Sequence, residues 1–201
     1  MRNWTRTLLM SALGLALLAG CAPRQEEAPA EEAPAPTVTE PAPTPEPAAP
    51  VSAAATLTGA DGTRYGTVTF TQTGGRTAVV AHVTGAPSGL HGFHVHETGE
   101  CTPPDFESAG DHFNPIGAIH GSPTDPDHHA GDLGNIQIGG DGSGHLEQDT
   151  DLLTVEPGPN SVVGRAIVLH ADEDDFVSQP TGAAGGRLAC GVVAGEADDT
   201  I

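Results

Sequence analysis

The sequence predicts an all-β domain, and two observations carry that prediction. The chain contains 27 glycines and 18 prolines in 201 residues, a composition that favours turns over long helices. Short segments with alternating or clustered apolar residues are separated by Asp61-Gly62 and Gly74-Gly75, which are typical of β-hairpin turns. Neither an internal repeat nor a long heptad pattern is present. The fold class is therefore all-β, with about 150 residues available for a single core.

Eight segments carry strand signals along the chain. They are residues 56–58, 66–71, 77–83, 89–97, 135–138, 144–148, 162–170 and 187–193. The sequence between the fourth and fifth segments, about 38 residues long, has few strand signals but contains most of the potential metal ligands. A disordered loop of this length is unusual in a compact domain. We therefore expect a functional loop that a metal holds in place.

The first 20 residues have the pattern of an export signal. Arg2 and Arg6 precede an apolar run over residues 8–19, which is too short to cross a bilayer as a mature helix. The run ends in Leu-Ala-Gly-Cys at residues 18–21, which resembles a bacterial lipobox and predicts lipid attachment at Cys21. Ordinary secretion with an unmodified Cys21 is the alternative. Lipid attachment would leave two cysteines as an even pair in an oxidising compartment.

Residues 21–52 read as a tether. Residues 22–50 contain nine prolines, six glutamates and one arginine with almost no bulky apolar residue, so this stretch cannot bury enough surface to fold. A polyproline-like tether would reach roughly 90 Å at about 3.1 Å per residue. It could act as a stalk or as a passive linker. The boundaries predicted for the folded domain are 53–197, followed by an acidic tail at 198–201.

The mature chain is strongly acidic. Loss of Arg2 and Arg6 with the signal would leave five arginines against 27 acidic residues, a net charge of −22, and there is no lysine. Nucleic acids and anionic membrane surfaces need clustered Arg and Lys, so neither is expected to bind this surface.

Four histidines have the pattern of a copper site. His94 and His96 are two residues apart in a predicted strand, so their imidazoles point to the same face. His170 ends another strand and can approach the same point. Together with His112 they supply four nitrogen ligands, a set that suits Cu(II).

A second group supplies three nitrogens and one oxygen, which suits tetrahedral zinc with no open position. Its members are His112, His120, His129 and Asp132. Two four-ligand sites need eight ligands, but only seven good candidates are present. If His112 bridges the two metals through both ring nitrogens, the count is complete.

Four motifs together resemble those of the copper-zinc superoxide dismutase family, in order, over about residues 53–194. They are Gly-Leu-His-Gly-Phe-His-Val-His at 89–96, Ser-Ala-Gly-Asp-His-Phe-Asn-Pro at 108–115, His-Ala-Gly-Asp-Leu-Gly-Asn at 129–135 and Gly-Gly-Arg-Leu-Ala-Cys-Gly at 185–191. The resemblance implies an eight-stranded Greek-key β-barrel or sandwich with long metal-binding and active-site loops. It also implies one copper and one zinc per subunit and a possible homodimer.

The resemblance further assigns roles to individual residues. It implies copper at His94, His96, His112 and His170, and zinc at His112, His120, His129 and Asp132. It implies that Arg187 binds the superoxide anion, that Cys101 and Cys190 form a disulfide, and that Asp174 links a copper histidine to a zinc histidine. His128 competes with His129, but only His129 keeps the family's spacing of three residues to Asp132.

The implied activity is dismutation of superoxide to oxygen and hydrogen peroxide in the extracytoplasmic space, by a redox-cycling copper beside a structural zinc. His112 is expected to leave copper and carry a proton during the cycle. A non-catalytic lipoprotein that buffers copper or zinc is the alternative. A storage function gives no role to Arg187, which disfavours the buffering alternative. A zinc hydrolase is also disfavoured, because the four zinc ligands leave no coordination position for water.

Three further histidines are expected outside the metal sites. His82 and His145 have the pattern of surface residues, and His91 that of a structural hydrogen-bonding residue. The loop after His170 is acidic at residues 172–175, which should mildly repel an anionic substrate. The longer segment 102–107 resembles the bacterial branch of the family.

Overall fold

The computed structural model describes residues 49–195, so the predicted signal peptide, Cys21, almost all of the tether and the tail at 198–201 lie outside the described residues. Nine β-strands and one 3-10 turn make up this part of the chain. The strands are β1 Val51–Gly59, β2 Arg64–Thr73, β3 Arg76–Val83, β4 Gly89–His96, β5 Asp132–Ile138, β6 Gly144–Thr150, β7 Ala166–His170, β8 Arg187–Val192 and β9 Ala194–Gly195. The 3-10 turn is Glu107–Ala109, between β4 and β5.

Alternation of side chains explains how the outer strands are oriented. In β3, Val79, Ala81 and Val83 are buried, whereas Arg76 and His82 are exposed. Successive side chains in a strand point to opposite faces, so one face of β3 packs on the core while the other faces solvent. The turn around residues 74–75 joins β2 to β3, as its two glycines predict.

The strands form a closed antiparallel barrel, which confirms the predicted eight-stranded Greek-key barrel. The strand order is β2-β3-β6-β5-β4-β7-β8-β1, and β1 pairs with β2 to close the circle. The β5–β6 contact is a single residue pair and the β1–β8 contact is two, so the barrel resembles two four-stranded sheets joined at their corners. The connections from β3 to β4 and from β6 to β7 run from one sheet to the other. β9 adds a short pairing with Ala53 and Ala54.

Several strand boundaries differ from those predicted, and β1 and β7 differ most. β1 begins at Val51, five residues before the predicted strand 56–58 and two residues before the predicted domain start at 53. β7 begins at Ala166 rather than at residue 162, because the four residues before it form a turn in which the Arg165 N–H donates to the Val162 carbonyl at 3.0 Å. Gly164, at φ +80°, supplies the left-handed conformation that this turn requires.

The barrel interior holds the main hydrophobic core. Phe70, Phe93, Leu57, Ile167 and Leu169 are among its fully buried side chains. Each buried side chain of this size contributes roughly 1.5–3 kcal/mol relative to exposure. A rigid barrel can therefore fix the positions of β4 and β7, whose ends carry the predicted copper histidines.

A smaller apolar cluster packs outside the barrel beneath the long loop between β4 and β5. Phe106 and Ala109 of the loop contact Ala166, Val168 and Cys190 of strands β7 and β8. This cluster anchors the first half of the loop.

Backbone hydrogen bonds fasten the same loop to β4. The Phe113 N–H donates to the Val95 carbonyl at 2.8 Å, the Gly131 N–H to Phe113 at 2.9 Å, and the Val95 N–H to Gly131 at 2.9 Å. A Cβ atom at Gly131 would lie 2.2 Å from the Val95 carbonyl oxygen, so only glycine permits this approach. Among the described residues, none belongs to a helix that is long and apolar enough to cross a membrane.

Candidate metal centre

The first cluster brings the four predicted copper histidines together. His94 and His96 lie in β4 and His170 ends β7, which pairs with β4, while His112 follows the 3-10 turn and forms a bridge with His96. One nitrogen from each ring lies within 4.8 Å of the others, and all four residues are buried.

Hydrogen bonds fix which ring nitrogen of each β4 histidine stays free. Nε2 of His94 donates to Oδ2 of Asp174 at 2.8 Å, which leaves Nδ1 buried without a partner. Nδ1 of His96 donates to the Gly110 carbonyl at 2.9 Å, which leaves Nε2 facing Nε2 of His170 at 3.3 Å. A ring nitrogen that donates to the protein leaves the other as a neutral acceptor, the form that binds a metal.

The second cluster gathers the predicted zinc ligands around one carboxylate. Oδ1 of Asp132 lies 2.8 Å from Nδ1 of His112 and 3.3 Å from Nδ1 of His129. Oδ2 lies 3.1 Å from Nδ1 of His120 and accepts the backbone N–H of His129 at 3.0 Å. Three nitrogens therefore surround one carboxylate in a buried, closed group.

His112 belongs to both clusters. Its Nδ1 faces Asp132, and its Nε2 is buried without a hydrogen-bond partner beside the β4 histidines. Buried polar atoms are almost always satisfied, so Nδ1 of His94 and Nε2 of His112, which have no hydrogen-bond partner, call for a further binding partner. Nδ1 of His120 and Nδ1 of His129 face the Asp132 carboxylate. The donor sets fit copper on one side and zinc on the other.

Asp174 links the two clusters without belonging to either. Its Oδ2 accepts from His94, and its Oδ1 accepts from Nε2 of His120 at 2.9 Å. The backbone of Asp174 is held in turn by Asn135, whose side chain exchanges two 2.8 Å hydrogen bonds with it. The loop after β7 is thus joined to both halves of the centre and to β5.

Burial and neighbouring charges set the protonation of these groups. Burial lowers the pKa of His94 to about 4 and that of His170 to about 3, and it also lowers the pKa of His96. For His120 burial acts in the same direction, but hydrogen bonds to Asp132 and Asp174 outweigh it and raise the pKa to about 9. The imidazoles of His94, His96 and His170 are therefore neutral and available at neutral pH.

Arg187, at the start of β8, lies close to this centre. Its guanidinium donates to the Phe106 carbonyl at 2.6 Å and to the Gly110 carbonyl at 2.8 Å. Gly110 also accepts from His96, so one carbonyl holds both side chains. Three residues after Arg187, Cys190 forms a disulfide with Cys101, which ties the loop to β8.

Comparison with known proteins identifies the family. The model of the copper/zinc superoxide dismutase (SODC) family matches residues 64–193, well over half of the chain. The chain belongs to the copper/zinc superoxide dismutase family. It is an oxidoreductase of that family, whose cofactors are copper and zinc.

Relatives of this superoxide dismutase family agree in sequence and in fold. The chain is 44% identical over 155 residues to "Extracellular superoxide dismutase [Cu-Zn]" of Brugia pahangi, covering 71% of this chain and 75% of the relative. It resembles the crystal structure of the clock protein EA4, with a TM-score of 0.65 and 40% identity over 72% of this chain and 94% of that one. A double mutant of a SOD-like protein from Bacillus subtilis gives a TM-score of 0.63 and 33% identity, over 71% and 97% of the two chains.

A cavity of about 250 Å³ lies over His112 in this dismutase. It is lined by Glu97, Asp111, His112, Asn114, His129, Pro180 and Thr181. Its charged walls are carboxylates, and no lysine exists in the chain to balance them. An anion that enters through this cavity would meet a negative field.

Several residues that organise the centre were not predicted from the sequence. Asn135 holds the backbone of Asp174. It is the last residue of the motif at 129–135, which was a signal that could have identified it. Gln179 exchanges two hydrogen bonds with the backbone of His120, at 2.9 and 2.8 Å, and nothing in its sequence context signals that role. The Gly110 carbonyl is a backbone atom, to which residue type gives no clue.

The other histidines occupy the positions that were predicted. The ring nitrogens of His91 face two backbone carbonyls, those of His170 and Pro87, each at 2.9 Å. His128 is buried beside the zinc cluster, but its Nδ1 donates to the His129 carbonyl at 2.8 Å. His82 and His145 are exposed.

Proposed function

We propose that this family member dismutates superoxide at the His112-centred cluster, outside the cytoplasm and anchored to a membrane by lipid on Cys21. The observation that carries the catalytic part is the environment of His112: Nδ1 faces Asp132 at 2.8 Å, and Nε2 is buried without a partner among the β4 histidines. A protein that only buffers metal has no use for a ligand shared between two sites. A shared imidazole couples the sites, which suits a reaction rather than storage.

We assign to the metals those ring nitrogens that do not donate hydrogen bonds to the protein. Copper would be held by His94 through Nδ1, by His96 and His170 through Nε2, and by His112 through Nε2. Zinc would be held by the Nδ1 atoms of His112, His120 and His129 and by the carboxylate of Asp132. Copper, when bound, supplies the one-electron redox chemistry that converts superoxide to oxygen and hydrogen peroxide, whereas zinc supplies a fixed positive charge.

The protein's own groups have three roles in this proposal. Arg187 would bind the superoxide anion with guanidinium N–H groups that its two carbonyl partners leave free, since guanidinium carries five such donors. His112 would hold a proton on Nε2 whenever that nitrogen is not a ligand, and then give it to the reduced oxygen species. Asp174 would keep His94 and His120 in the tautomers that expose Nδ1.

Location and assembly rest on other features. A disulfide between Cys101 and Cys190 is typical of an oxidising compartment, and the relative from Brugia pahangi is named extracellular. We propose a homodimer, with the exposed valines Val163 and Val192 as candidates for its interface because they are apolar side chains on the surface. Its test is the molar mass in solution of wild type against the Val163→Asp variant, which should be monomeric.

The catalytic assignment is tested with His112→Ala beside His145→Ala, an exposed histidine outside the clusters. Copper and zinc content and the rate of superoxide consumption are measured for both variants and for wild type. We expect His112→Ala to lose activity and to bind both metals more weakly, and His145→Ala to match wild type in activity and in copper content. Full copper and zinc occupancy of the wild type without superoxide consumption would favour the copper- or zinc-buffering function instead.

The anchoring assignment has its own test. Wild type and Cys21→Ser are expressed in a bacterial host, and membrane and soluble fractions are assayed for the protein and for a lipid-modified N-terminus by mass spectrometry. We expect the wild type in the membrane fraction with lipid on Cys21, and the variant in the soluble fraction. An unmodified Cys21 on a secreted wild-type protein would contradict the proposal.

A further inference from the structure

Two histidines that the metal centre does not use lie side by side on the outer face of the barrel. His82 of β3 and His145 of β6 are directly opposite each other in the antiparallel register. Their ring centroids are 4.7 Å apart with an interplanar angle of 33°, and both side chains are exposed. Neither ring contacts a ligand of the copper or zinc clusters among the hydrogen bonds and ring contacts of residues 49–195.

The spacing of their nitrogens fits a metal chelate. Nδ1 of His82 lies 3.3 Å from Nδ1 of His145. Two ligands about 2.0–2.1 Å from a tetrahedral zinc ion are about 3.3–3.4 Å apart, whereas a right-angled pair would be about 2.9 Å apart. We propose that His82 and His145 form a separate surface site for Zn²⁺, with water completing the coordination.

The surrounding structure makes this pair rigid. β3 and β6 pair continuously from Thr77↔Thr150 to Val83↔Gly144, so the backbone on both sides of the histidines is fixed. Val79, Ala81 and Val83 anchor the opposite face of β3 in the core. The two backbone positions are therefore fixed before binding, and only the two imidazole rings have to be ordered by the metal, which favours chelation over two independent weak contacts.

Charge also favours a cation here. Oε2 of Glu147 lies 3.7 Å from Nε2 of His145, the ring nitrogen that does not face His82. The negative charge of this carboxylate attracts a cation to the histidine pair. The whole chain carries a formal net charge of −20, which raises the local concentration of divalent cations.

This site is independent of superoxide dismutation. It lies on β3 and β6, whereas the clusters lie on β4, β5, β7 and the long loop between β4 and β5. With two protein ligands it would be open and exchangeable, in contrast to the closed, buried zinc cluster. Zinc bound across β3 and β6 would also add a cross-strand link and stabilise the folded state by mass action.

The test uses protein already loaded with copper and zinc, so that only additional binding is seen. Zn²⁺ is titrated into wild type, His82→Ala, His145→Ala and the surface control Thr69→Ala, and binding is followed by calorimetry. We expect one additional zinc per chain in wild type and in the control, and at least a tenfold loss of affinity in each histidine variant. Superoxide consumption should be equal in all four proteins.

A second measurement tests the geometry. Imidazole ¹⁵N spectra should show zinc-dependent shifts at Nδ1 of His82 and His145 in wild type. Wild type that takes up no zinc beyond its loaded centre would overturn the proposal. Additional zinc that binds equally well to both histidine variants, or that shifts only the Nε2 resonances, would do the same.

Discussion

Asp174 accepts a 2.8 Å hydrogen bond from Nε2 of His94, and both side chains are fully buried. The same carboxylate accepts from His120 on the other side. One residue of the loop after β7 therefore orients a histidine of each cluster. Because the partners come from β4 and from the long β4–β5 loop, Asp174 couples the folding of the loops to the shape of the centre.

Replacing Asp174 with Asn should weaken both metal sites, because an amide has one oxygen and cannot accept from two imidazoles in the same way. Loss of such a supporting group typically costs about 10–100-fold in metal affinity. Competition with a chelator, followed by metal analysis, measures the effect. Glu173→Gln is the matched control, since Glu173 is exposed and adjacent. Equal metal affinity in Asp174→Asn and the control would contradict the role.

Arg187→Ala should keep both metals but lose much of the dismutase activity. The guanidinium contacts two backbone carbonyls and no metal-cluster side chain, so its removal leaves the ligands in place. A hydrogen bond to a charged group contributes about 1.5–3 kcal/mol, which corresponds to a loss of about tenfold or more in rate. Steady-state superoxide consumption with parallel metal analysis provides the check. Normal activity in Arg187→Ala would remove the assigned role.

The rate constant should stay constant or rise as salt is added. Glu107, Asp111 and Asp105 act on Arg187, and Glu97 and Asp111 line the cavity over His112. Salt screens the repulsion between these acids and an anionic substrate. A steep fall in rate with added salt would show that the field attracts the substrate instead.

Asp111→Asn should raise the rate at low salt by about twofold, since one charge at about 10 Å in water is worth about 0.4 kcal/mol. The matched control is Asp149→Asn, an exposed residue of β6. Both variants are compared with wild type over a range of ionic strength. A rate that responds equally to the two substitutions would indicate an effect of net charge rather than of the cavity wall.

Cys101→Ser together with Cys190→Ser should lower the free energy of unfolding by about 4.6 kcal/mol in the chain-entropy model, because the bridge spans 89 residues. Chemical denaturation of the metal-loaded proteins measures this. We also expect lower activity, since the bridge holds the loop that carries the Gly110 carbonyl against Arg187. Unchanged stability and activity in the double variant would contradict both expectations.

The metal-free protein should lose stability as the pH falls from 6.5 towards 4. Burial lowers the pKa of His94 to about 4 and that of His170 to about 3, so the unfolded chain binds protons in this window that the folded chain excludes. Each excluded proton costs roughly 1.4 kcal/mol per pH unit. His120, whose pKa is raised to about 9, contributes stability that is fully present below 6.5 and lost as the pH rises through 9.

Calorimetry of the metal-free protein at pH 7 and pH 4.5 tests this dependence. The melting temperature should be lower at pH 4.5. A melting temperature that does not change between these values would mean that the histidines become protonated without loss of folded structure.

Local patterns in the sequence were sufficient to predict much of the barrel. Alternation in β3 and the glycine turn before it depend only on neighbouring residues, and the structure confirms both. The start of β7 was less predictable. Val162 and Val163 favour a strand, but a turn with Gly164 in the left-handed region separates them from β7.

The sequence also determined the donor atoms available to the centre, because residue types and spacings define four imidazoles on one side and a carboxylate with three imidazoles on the other. Which nitrogen of each ring is free was decided only by tertiary structure. His94 and Asp174 are 80 residues apart, and the Gly110 carbonyl meets Arg187 across 77 residues. Such contacts depend on closure of the barrel and docking of two loops, and short-range patterns carry no information about them.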